Sequence, residues 1–176
     1  MSAVQAIPTK KLTVTALLLG MNIIMSSSIL SVPVPGGHMY LNDVIIVMAA
    51  LILDPFYAFA VGGFGAFFGD MIFYPAPMFV SLVTHGLQAA LISAFVRRVL
   101  KEKPPASAVL ASVLGLIVTV TGYTLGRAYI YSTPAYAVLK FPFQVLQTAV
   151  GSAIALGLYF GTPVRKVARR ELEEAV

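Results

Sequence analysis

Long apolar runs separated by short polar connections constrain this chain more than any other feature. A helix needs about 20 mostly apolar residues to cross a bilayer, and six stretches reach or approach that length. They cover residues 12–30, 40–53, 56–73, 78–96, 106–131 and 139–160. Charged residues make up only 11% of the chain, against about 25% in soluble domains. We therefore expect an all-α integral membrane protein with a lipid-facing exterior, built as a single domain over residues 1–176.

The junction Asp54-Pro55 between the second and third runs decides whether the chain crosses the membrane five or six times. The residue before a proline avoids helical angles, so a break is expected here, although one long broken helix would give five crossings. Lys and Arg concentrate in the short cytoplasmic loops of membrane proteins. Six crossings place ten of the twelve basic residues on that side: Lys10, Lys11, Arg97, Arg98, Lys101, Lys103, Arg165, Lys166, Arg169 and Arg170. The sequence thus predicts six transmembrane helices with both termini in the cytoplasm.

The distribution of positive charge along the chain indicates whether its surface contacts lipid or nucleic acid. The formal net charge is +5, but the basic residues form short clusters between apolar runs, a pattern typical of contact with lipid headgroups rather than nucleic acid. The basic and then acidic segment 165–174 continues this pattern. Two interpretations of that segment stay open, a helix lying on the membrane surface and a solvated chain end.

Two stripes of small residues can bring helices into close contact. Gly62, Gly65 and Gly69 share one face of the third run, and Ala16 and Gly20 lie four residues apart on the first. Small side chains allow close backbone approach in lipid, where apolar attraction cannot drive helix association. Packing inside the bundle is the favoured interpretation of the glycine stripe. For Ala16 and Gly20, internal packing and contact with another subunit are both open.

Polar side chains within the apolar runs indicate a binding site, since ionisable groups inside a membrane are costly and usually face an interior cavity. Helical spacing aligns three stripes on consecutive runs. They consist of Ser81, Thr84, His85 and Gln88, then Tyr123, Arg127 and Tyr131, then Lys140, Gln144 and Gln147. Further polar residues lie at the predicted outer ends of their helices or in the loop above them: His38, Tyr40, Asn42, Asp43 and Asp70. Together, except for Ser81 and Thr84, these residues are the predicted lining of a pocket that opens outward and closes near mid-membrane.

Several members of this set have a purely structural alternative. Lys140 near a helix end could snorkel to the interface. Arg127 could form an ion pair with Asp70 or Asp43, and His85 could be an ordinary hydrogen-bonded core residue. The two glutamines of the sixth run could simply link helices. The convergence of three stripes is therefore stronger evidence for a pocket than any single residue.

Motifs for catalysis and metal binding are missing from the sequence. There is no G-x-S-x-G, no H-E-x-x-H and no G-K-[ST] after the glycine-rich stretch GGFGAFFG. His38 and His85 are far apart in sequence, and the predicted inner half of the membrane lacks the polar path that an ion channel needs. We therefore expect no enzyme activity, metal or cofactor in this chain, and small-molecule binding is the favoured function. A membrane enzyme acting on lipid would need a catalytic set that is not evident.

The connection VPVPGGHMYLNDV at residues 32–44 is unusually polar and long for a turn between helices. Pro33 and Pro35 stiffen it, while Gly36 and Gly37 permit turns that other residues cannot make. Its position above the predicted pocket favours a lid at residues 31–41 over a plain turn.

The stretch GGHMYLNDVIIVMAALILDPFYAFAVGGFGAFFGDMI at residues 36–72 resembles the S component of an energy-coupling factor (ECF) vitamin transporter. The shared features are a Pro/Gly-rich first loop, an outer Asp, a short second helix, a glycine-rich third helix and a closing Gly-Asp. The resemblance implies a substrate-binding subunit of an ABC-type importer in a prokaryotic plasma membrane. Its implied partners are a transmembrane T component and two ATPase subunits, which use the ATP.

The same resemblance implies roles for two segments. Ala16 and Gly20 occupy the place of the family's Ala-x-x-x-Ala motif, which contacts the T component, and the first loop serves as the lid. The chain is most similar to the branch associated with hydroxymethylpyrimidine and pyridoxine, whose flat rings tyrosines can stack on and whose nitrogens and hydroxyls Asn, Gln and His can bind. Arg127 and Lys140 leave an anionic vitamin such as pantothenate open. A structural membrane subunit without transport function is the remaining alternative.

Overall fold

The computed structural model describes residues 9–27, 30–99 and 101–173. Within these ranges the chain forms seven helices and one two-stranded sheet. The elements are α1 Thr9–Met25, β1 Val32–Val34, β2 Gly37–Met39, α2 Asn42–Ile52, α3 Pro55–Phe73, α4 Met78–Arg98, α5 Pro104–Tyr131, α6 Pro134–Gly161 and α7 Val164–Glu173. In the described part of the chain, the four helices α3 to α6 are each long enough and apolar enough to cross a membrane. Helix α2 is also apolar but shorter. The protein is therefore a helical membrane protein, and six crossings stay a prediction.

The predicted break between the second and third runs is confirmed. Leu53 is extended with φ −97° and ψ 157°, and α3 begins at Pro55, whose ring suits the first turn of a helix. Other boundaries differ from the prediction. Helix α6 begins at Pro134 rather than residue 139, because Thr133 accepts a hydrogen bond from the Tyr136 amide at 3.4 Å and so caps an earlier start. Helix α1 ends at Met25 rather than near residue 30, and residues 28–29 of that run lie outside the described ranges.

The connection after α1 contains a β-hairpin that the sequence analysis did not predict. Strands β1 and β2 pair antiparallel, with Val32 opposite Met39 and Val34 opposite Gly37. The two-residue loop is Pro35-Gly36, with φ +81° at Gly36, as a type II turn requires at its second central residue. Gly37 follows with φ +136°. The predicted need for glycine at both positions is confirmed.

Helix α2 forms the centre of the bundle. Ten of its eleven residues are buried, and α1, α4 and α6 pack around it. Large apolar side chains instead cover the outside, including Phe56 (78% exposed) and Val138 (75% exposed). An exterior of this kind is stable only against lipid, which agrees with the composition. The short central helix therefore needs no lipid contact of its own.

The two stripes of small residues have different surroundings. A side chain at Gly62 would meet the His85 carbonyl oxygen of α4, while side chains at Gly65 and Gly69 would collide with Asn22 and Ser26 near the end of α1. The glycine stripe thus lets α3 pack closely against both neighbours, which confirms internal packing. On the outer face of α1, by contrast, the small residue Ala16 is exposed.

The basic clusters of the sequence meet at one end of the bundle. Lys10 Nζ lies 3.0 Å from Glu171 Oε2 on α7. Lys11 Nζ and Arg97 Nε lie 2.6 Å and 3.3 Å from the two carboxylate oxygens of Asp54. The hydrogen bond from Lys11, reinforced by the charges of Lys11 and Arg97, holds the pKa of Asp54 below its usual value. The segment predicted as 165–174 is helical over Val164–Glu173, and residue 174 lies outside the described ranges.

Candidate ligand-binding site

A cavity of about 530 Å³ opens at the end of the bundle opposite the basic clusters; we call it the hairpin-end cavity. The ends of α3 and α5, the starts of α2, α4 and α6, and the β-hairpin surround it. Its volume lies within the range of about 300–1,000 Å³ that is usual for small-molecule sites. Eleven of the thirteen predicted binding residues line it: His38, Tyr40, Asn42, Asp70, His85, Tyr123, Arg127, Tyr131, Lys140, Gln144 and Gln147. The three polar stripes therefore converge as expected.

The other two predicted residues, Asp43 and Gln88, lie behind the cavity wall and are fully buried. The Asp43 carboxylate accepts hydrogen bonds from Gln88 Nε2 at 2.9 Å, Gln147 Nε2 at 3.2 Å and Thr148 Oγ1 at 3.4 Å. It also lies in the first turn of α2, where the helix dipole favours a negative charge. The structure thus places these two side chains behind the wall and not in it: Asp43 joins α2 to α4 and α6, and Gln88 contacts His85 of the wall. Their direct contact with a ligand stays a prediction.

The hydrogen bonds of Asp43 determine which nitrogen of His85 donates. A carboxylate only accepts, so the Gln88 amide nitrogen donates to Asp43 and its oxygen must accept. His85 Nδ1, which lies 2.7 Å from Gln88 Oε1, is then the donor. In a neutral imidazole this leaves Nε2 as an acceptor. His85 is both a buried hydrogen-bonded residue and part of the cavity wall, where it can accept from a ligand N–H or O–H group.

A second hydrogen-bond network in the cavity wall links the Asp70 carboxylate to two hydroxyl groups. The Ser81 hydroxyl donates to the Asp70 carboxylate. Ser81 Oγ also lies 2.5 Å from Tyr123 Oη, and because its only hydrogen is directed to Asp70, Tyr123 donates to Ser81. This network joins α5, α4 and α3. Asp70 is thereby oriented at the cavity surface with capacity to accept further hydrogen bonds.

The cavity wall contains two basic side chains, Arg127 and Lys140, and neither forms an ion pair with another described residue. Within the described residues, Arg127 lies beyond 4.0 Å from the carboxylates of Asp70 and Asp43, so the ion pair that was its structural alternative is not formed. The guanidinium of Arg127 lies 5.6 Å from the ring centroid of Tyr131, and its buried Nη1 has no hydrogen-bond partner among the residues that the structure describes. The snorkelling interpretation of Lys140 is wrong, since the side chain is only 2% exposed. A ligand with acceptor oxygens would satisfy the Arg127 donors.

The hairpin is tied to α6 at the mouth of the cavity. Lys140 Nζ donates to the His38 carbonyl oxygen at 2.6 Å, and the Tyr40 amide donates to Gln147 Oε1 at 3.1 Å. Gly36 approaches α6 so closely that an added Cβ would lie 3.2 Å from Lys140 Cβ. Burial, with smaller contributions from Asp70 and Tyr74, raises the pKa of the Tyr40 phenol, so this group stays a hydrogen-bond donor at neutral pH.

Sequence reasoning missed part of the wall. Tyr74 and Tyr136 line the cavity beside Tyr40, Tyr123 and Tyr131, giving five tyrosines in all among the described residues. Tyr74 precedes Pro75 in the connection FYPAP, and Tyr136 follows Pro134 by two residues in the first turn of α6, in STPAY. A search restricted to helix faces cannot find them. The usable signal was a tyrosine within two residues of a proline, at the end of the helices where the polar stripes converge.

Comparison with known proteins identifies the family. The family described as "ECF-type riboflavin transporter, S component" matches residues 6–164, which include all six apolar runs. This chain belongs to that family. S components are substrate-binding subunits of vitamin transporters, so the family is one of transporter subunits rather than enzymes. The expected membership of the ECF S components is confirmed, while the narrower hydroxymethylpyrimidine and pyridoxine branch is not.

A relative of this S component occurs in Pyrococcus woesei. That protein, described as "Uncharacterized protein in gap 3'region", is 29% identical over 136 residues. The similarity covers 76% of this chain and 89% of the relative.

Proposed function

We propose that this S component captures a small vitamin or vitamin precursor in the hairpin-end cavity and releases it inward when coupled to a T component and two ATPase subunits. The observation that carries the proposal is the convergence of eleven predicted polar and aromatic residues on one cavity in a chain of this family. We propose further that residues 1–176 form a single domain in a prokaryotic plasma membrane, with six crossings and both termini in the cytoplasm. The gathering of basic residues at the opposite end supports this orientation.

The chemistry of the wall favours a flat heterocyclic ligand that carries hydroxyl groups. Five tyrosines can stack a ring, and His85 can accept from a ring N–H or a hydroxyl. Hydroxymethylpyrimidine, pyridoxine and riboflavin all meet this description. The unpartnered donor of Arg127 favours an acceptor oxygen on the ligand, and it keeps pantothenate, whose carboxylate it would bind, as the second candidate.

A binding screen tests the proposal directly. Purified protein is titrated with riboflavin, hydroxymethylpyrimidine, pyridoxine and pantothenate, and thermal unfolding and equilibrium binding are measured. A ligand present at 100 times its Kd should stabilise the folded state by about 2.7 kcal/mol, so one of the four is expected to raise the Tm clearly. No stabilisation by any of them, and no small molecule in the mass spectrum of freshly purified protein, would instead support a structural subunit.

The outer face of α1 is the proposed contact with the T component. Ala16 is exposed, and a Cβ added at Gly20 would meet no atom of another described element within 4 Å. Gly20→Leu is therefore expected to leave the Tm and ligand binding of the isolated protein unchanged. In vesicles that contain the complete transporter, we expect it to reduce uptake of the bound vitamin severely, because the added side chain prevents close approach of the partner helix.

Gly157→Leu is the matched control for this variant. Gly157 lies on α6 and also has open space at its Cβ position, so the substitution adds the same bulk to a different outer face. Uptake by the control should stay near the level of the unmodified protein. Equal uptake by the two variants would place the T-component contact elsewhere.

The hairpin is the proposed lid. Replacing residues 33–38 by Gly and Ser removes the paired strands and the rigid turn that hold His38 and Tyr40 against α6. We expect the ligand to dissociate about tenfold faster, since the two hydrogen bonds at stake contribute about 1 kcal/mol each and are only partly lost. Stopped-flow displacement measures the rate. Unchanged dissociation would make the hairpin an ordinary connection.

A further inference from the structure

We propose that a second cavity, at the basic end of the bundle, binds the phosphate of an anionic phospholipid headgroup. This basic-end cavity has a volume of about 470 Å³ and lies between the start of α1, α2, α4, the start of α5, the end of α6 and α7. Among the described residues that line it, five side chains are basic and one is acidic. The basic ones are Lys11, Arg97, Lys101, Arg165 and Arg169, and the acidic one is Asp54. The proposal is independent of the vitamin site and of its ligand.

The charges of this cavity favour an anion. Asp54 accepts from both Lys11 and Arg97, so its single charge is shared between two cations. Lys101 comes from the connection between α4 and α5, and Arg165 and Arg169 come from α7. Their convergence concentrates positive charge in a partly enclosed space, where the low dielectric of the walls strengthens the attraction for a negative group.

The position of the cavity identifies the anion as a lipid phosphate. Helix α4 ends at Arg98, α5 begins at Pro104 and α6 ends at Gly161, so the cavity lies at the ends of three candidate membrane helices. Phosphates of the bilayer lie at this level, and basic pockets beside transmembrane helices are known headgroup sites.

The walls also suit a lipid better than a free anion. Apolar side chains share the cavity with the cations, among them Leu51, Ile52 and Leu172. On α7, Arg165, Arg169 and Leu172 line the cavity at spacings of four and three residues, which places them on one helix face. A basic amphipathic helix of this kind lies in the membrane interface and is attracted to anionic lipids. The phosphate would bind among the cations while the acyl chains continue along the apolar exterior.

Two double variants of α7 test the proposal. Arg165→Gln with Arg169→Gln removes two charges that line the cavity, whereas Lys166→Gln with Arg170→Gln removes two charges with the same spacing from outside its lining. Each protein is equilibrated with micelles containing phosphatidylglycerol or phosphatidylcholine, and bound lipid is counted by native mass spectrometry. The lining pair is expected to weaken phosphatidylglycerol binding about tenfold or more, and the control pair to change it by less than about threefold.

Several outcomes would overturn the assignment. Equal losses of phosphatidylglycerol binding in the two double variants would show that general surface charge, and not the cavity, attracts the lipid. An unmodified protein that retains both lipids equally would exclude a site selective for an anionic headgroup, and this comparison needs no variant to fold. Inorganic phosphate alone, if it raises the Tm as much as phosphatidylglycerol does, would assign the cavity to a free anion. The single substitution Lys101→Gln, on an exposed loop residue, should lower phosphatidylglycerol retention in the same direction as the lining pair, and unchanged retention would contradict the proposal.

Discussion

Replacing Asp43 with alanine is expected to lower the free energy of unfolding by about 3–5 kcal/mol, the usual cost of removing one partner from a buried charged network. Asp43 is fully buried and accepts from Gln88, Gln147 and Thr148. Without it, these donors stay buried and lose their acceptor. Alanine keeps the Cβ that packs against Gly151, so the measurement reports the lost carboxylate rather than a clash. Denaturant unfolding in detergent gives the free energy.

Asp54→Ala is the matched control, because this carboxylate also accepts two hydrogen bonds but its side chain is 46% exposed. Exposed ion pairs contribute at most about 1 kcal/mol, so its loss should be small. The double variant with Thr148→Val should recover part of the loss caused by Asp43→Ala, since it removes one of the stranded donors without changing the shape of the side chain. Equal destabilisation by the two aspartate variants would contradict the central role assigned to Asp43.

Replacing Arg127 with methionine is expected to weaken ligand binding by about 10- to 100-fold, because a hydrogen bond to a charged group contributes about 1.5–3 kcal/mol. The side chain is 8% exposed, its Nη1 has no hydrogen-bond partner in the described part of the chain, and it forms no ion pair with Asp70 or Asp43. Its removal thus leaves no carboxylate stranded, and the Tm of the ligand-free protein should not fall. Calorimetric titration with the ligand found by the binding screen measures the change in Kd.

Arg98→Met supplies the control for charge, since Arg98 is an exposed residue at the opposite end of the bundle. Arg127→Lys should recover part of the affinity if the ligand needs a cation, and none if it needs the two parallel donors of a guanidinium. An Arg127→Met protein with unchanged Kd would show that the ligand binds elsewhere in the cavity. A Tm loss without a change in Kd would assign Arg127 to the fold.

The family match and the cavity bear on different parts of the function. Membership of the S components rests on a match over residues 6–164. The identity of the ligand depends on side chains that differ in chemistry within one wall: tyrosines for a ring, His85 as an acceptor, and Arg127 as a donor. The binding screen therefore decides the ligand, and the variants of Arg127 decide its orientation.

The sequence by itself determined the class of fold and most of the candidate site. Length and composition of the apolar runs predict membrane helices, because a helix pairs its backbone groups within its own segment and its own side chains decide whether it suits lipid. Pro55 marked the break after α2 for an equally local reason. Helical spacing then placed His85, Tyr123 and Gln144 on inward faces, and all three line the hairpin-end cavity.

Only the tertiary structure decided which polar residues reach the cavity and which lie behind it. Asp43 has the same local pattern as its neighbour Asn42, yet Gln88 and Gln147 from distant helices cover it, while Asn42 lines the cavity. Lys140 is buried because the hairpin folds back over it and supplies the His38 carbonyl. The basic-end cavity likewise gathers basic side chains from four separate segments. Such contacts join residues far apart in the chain, and no local periodicity encodes them.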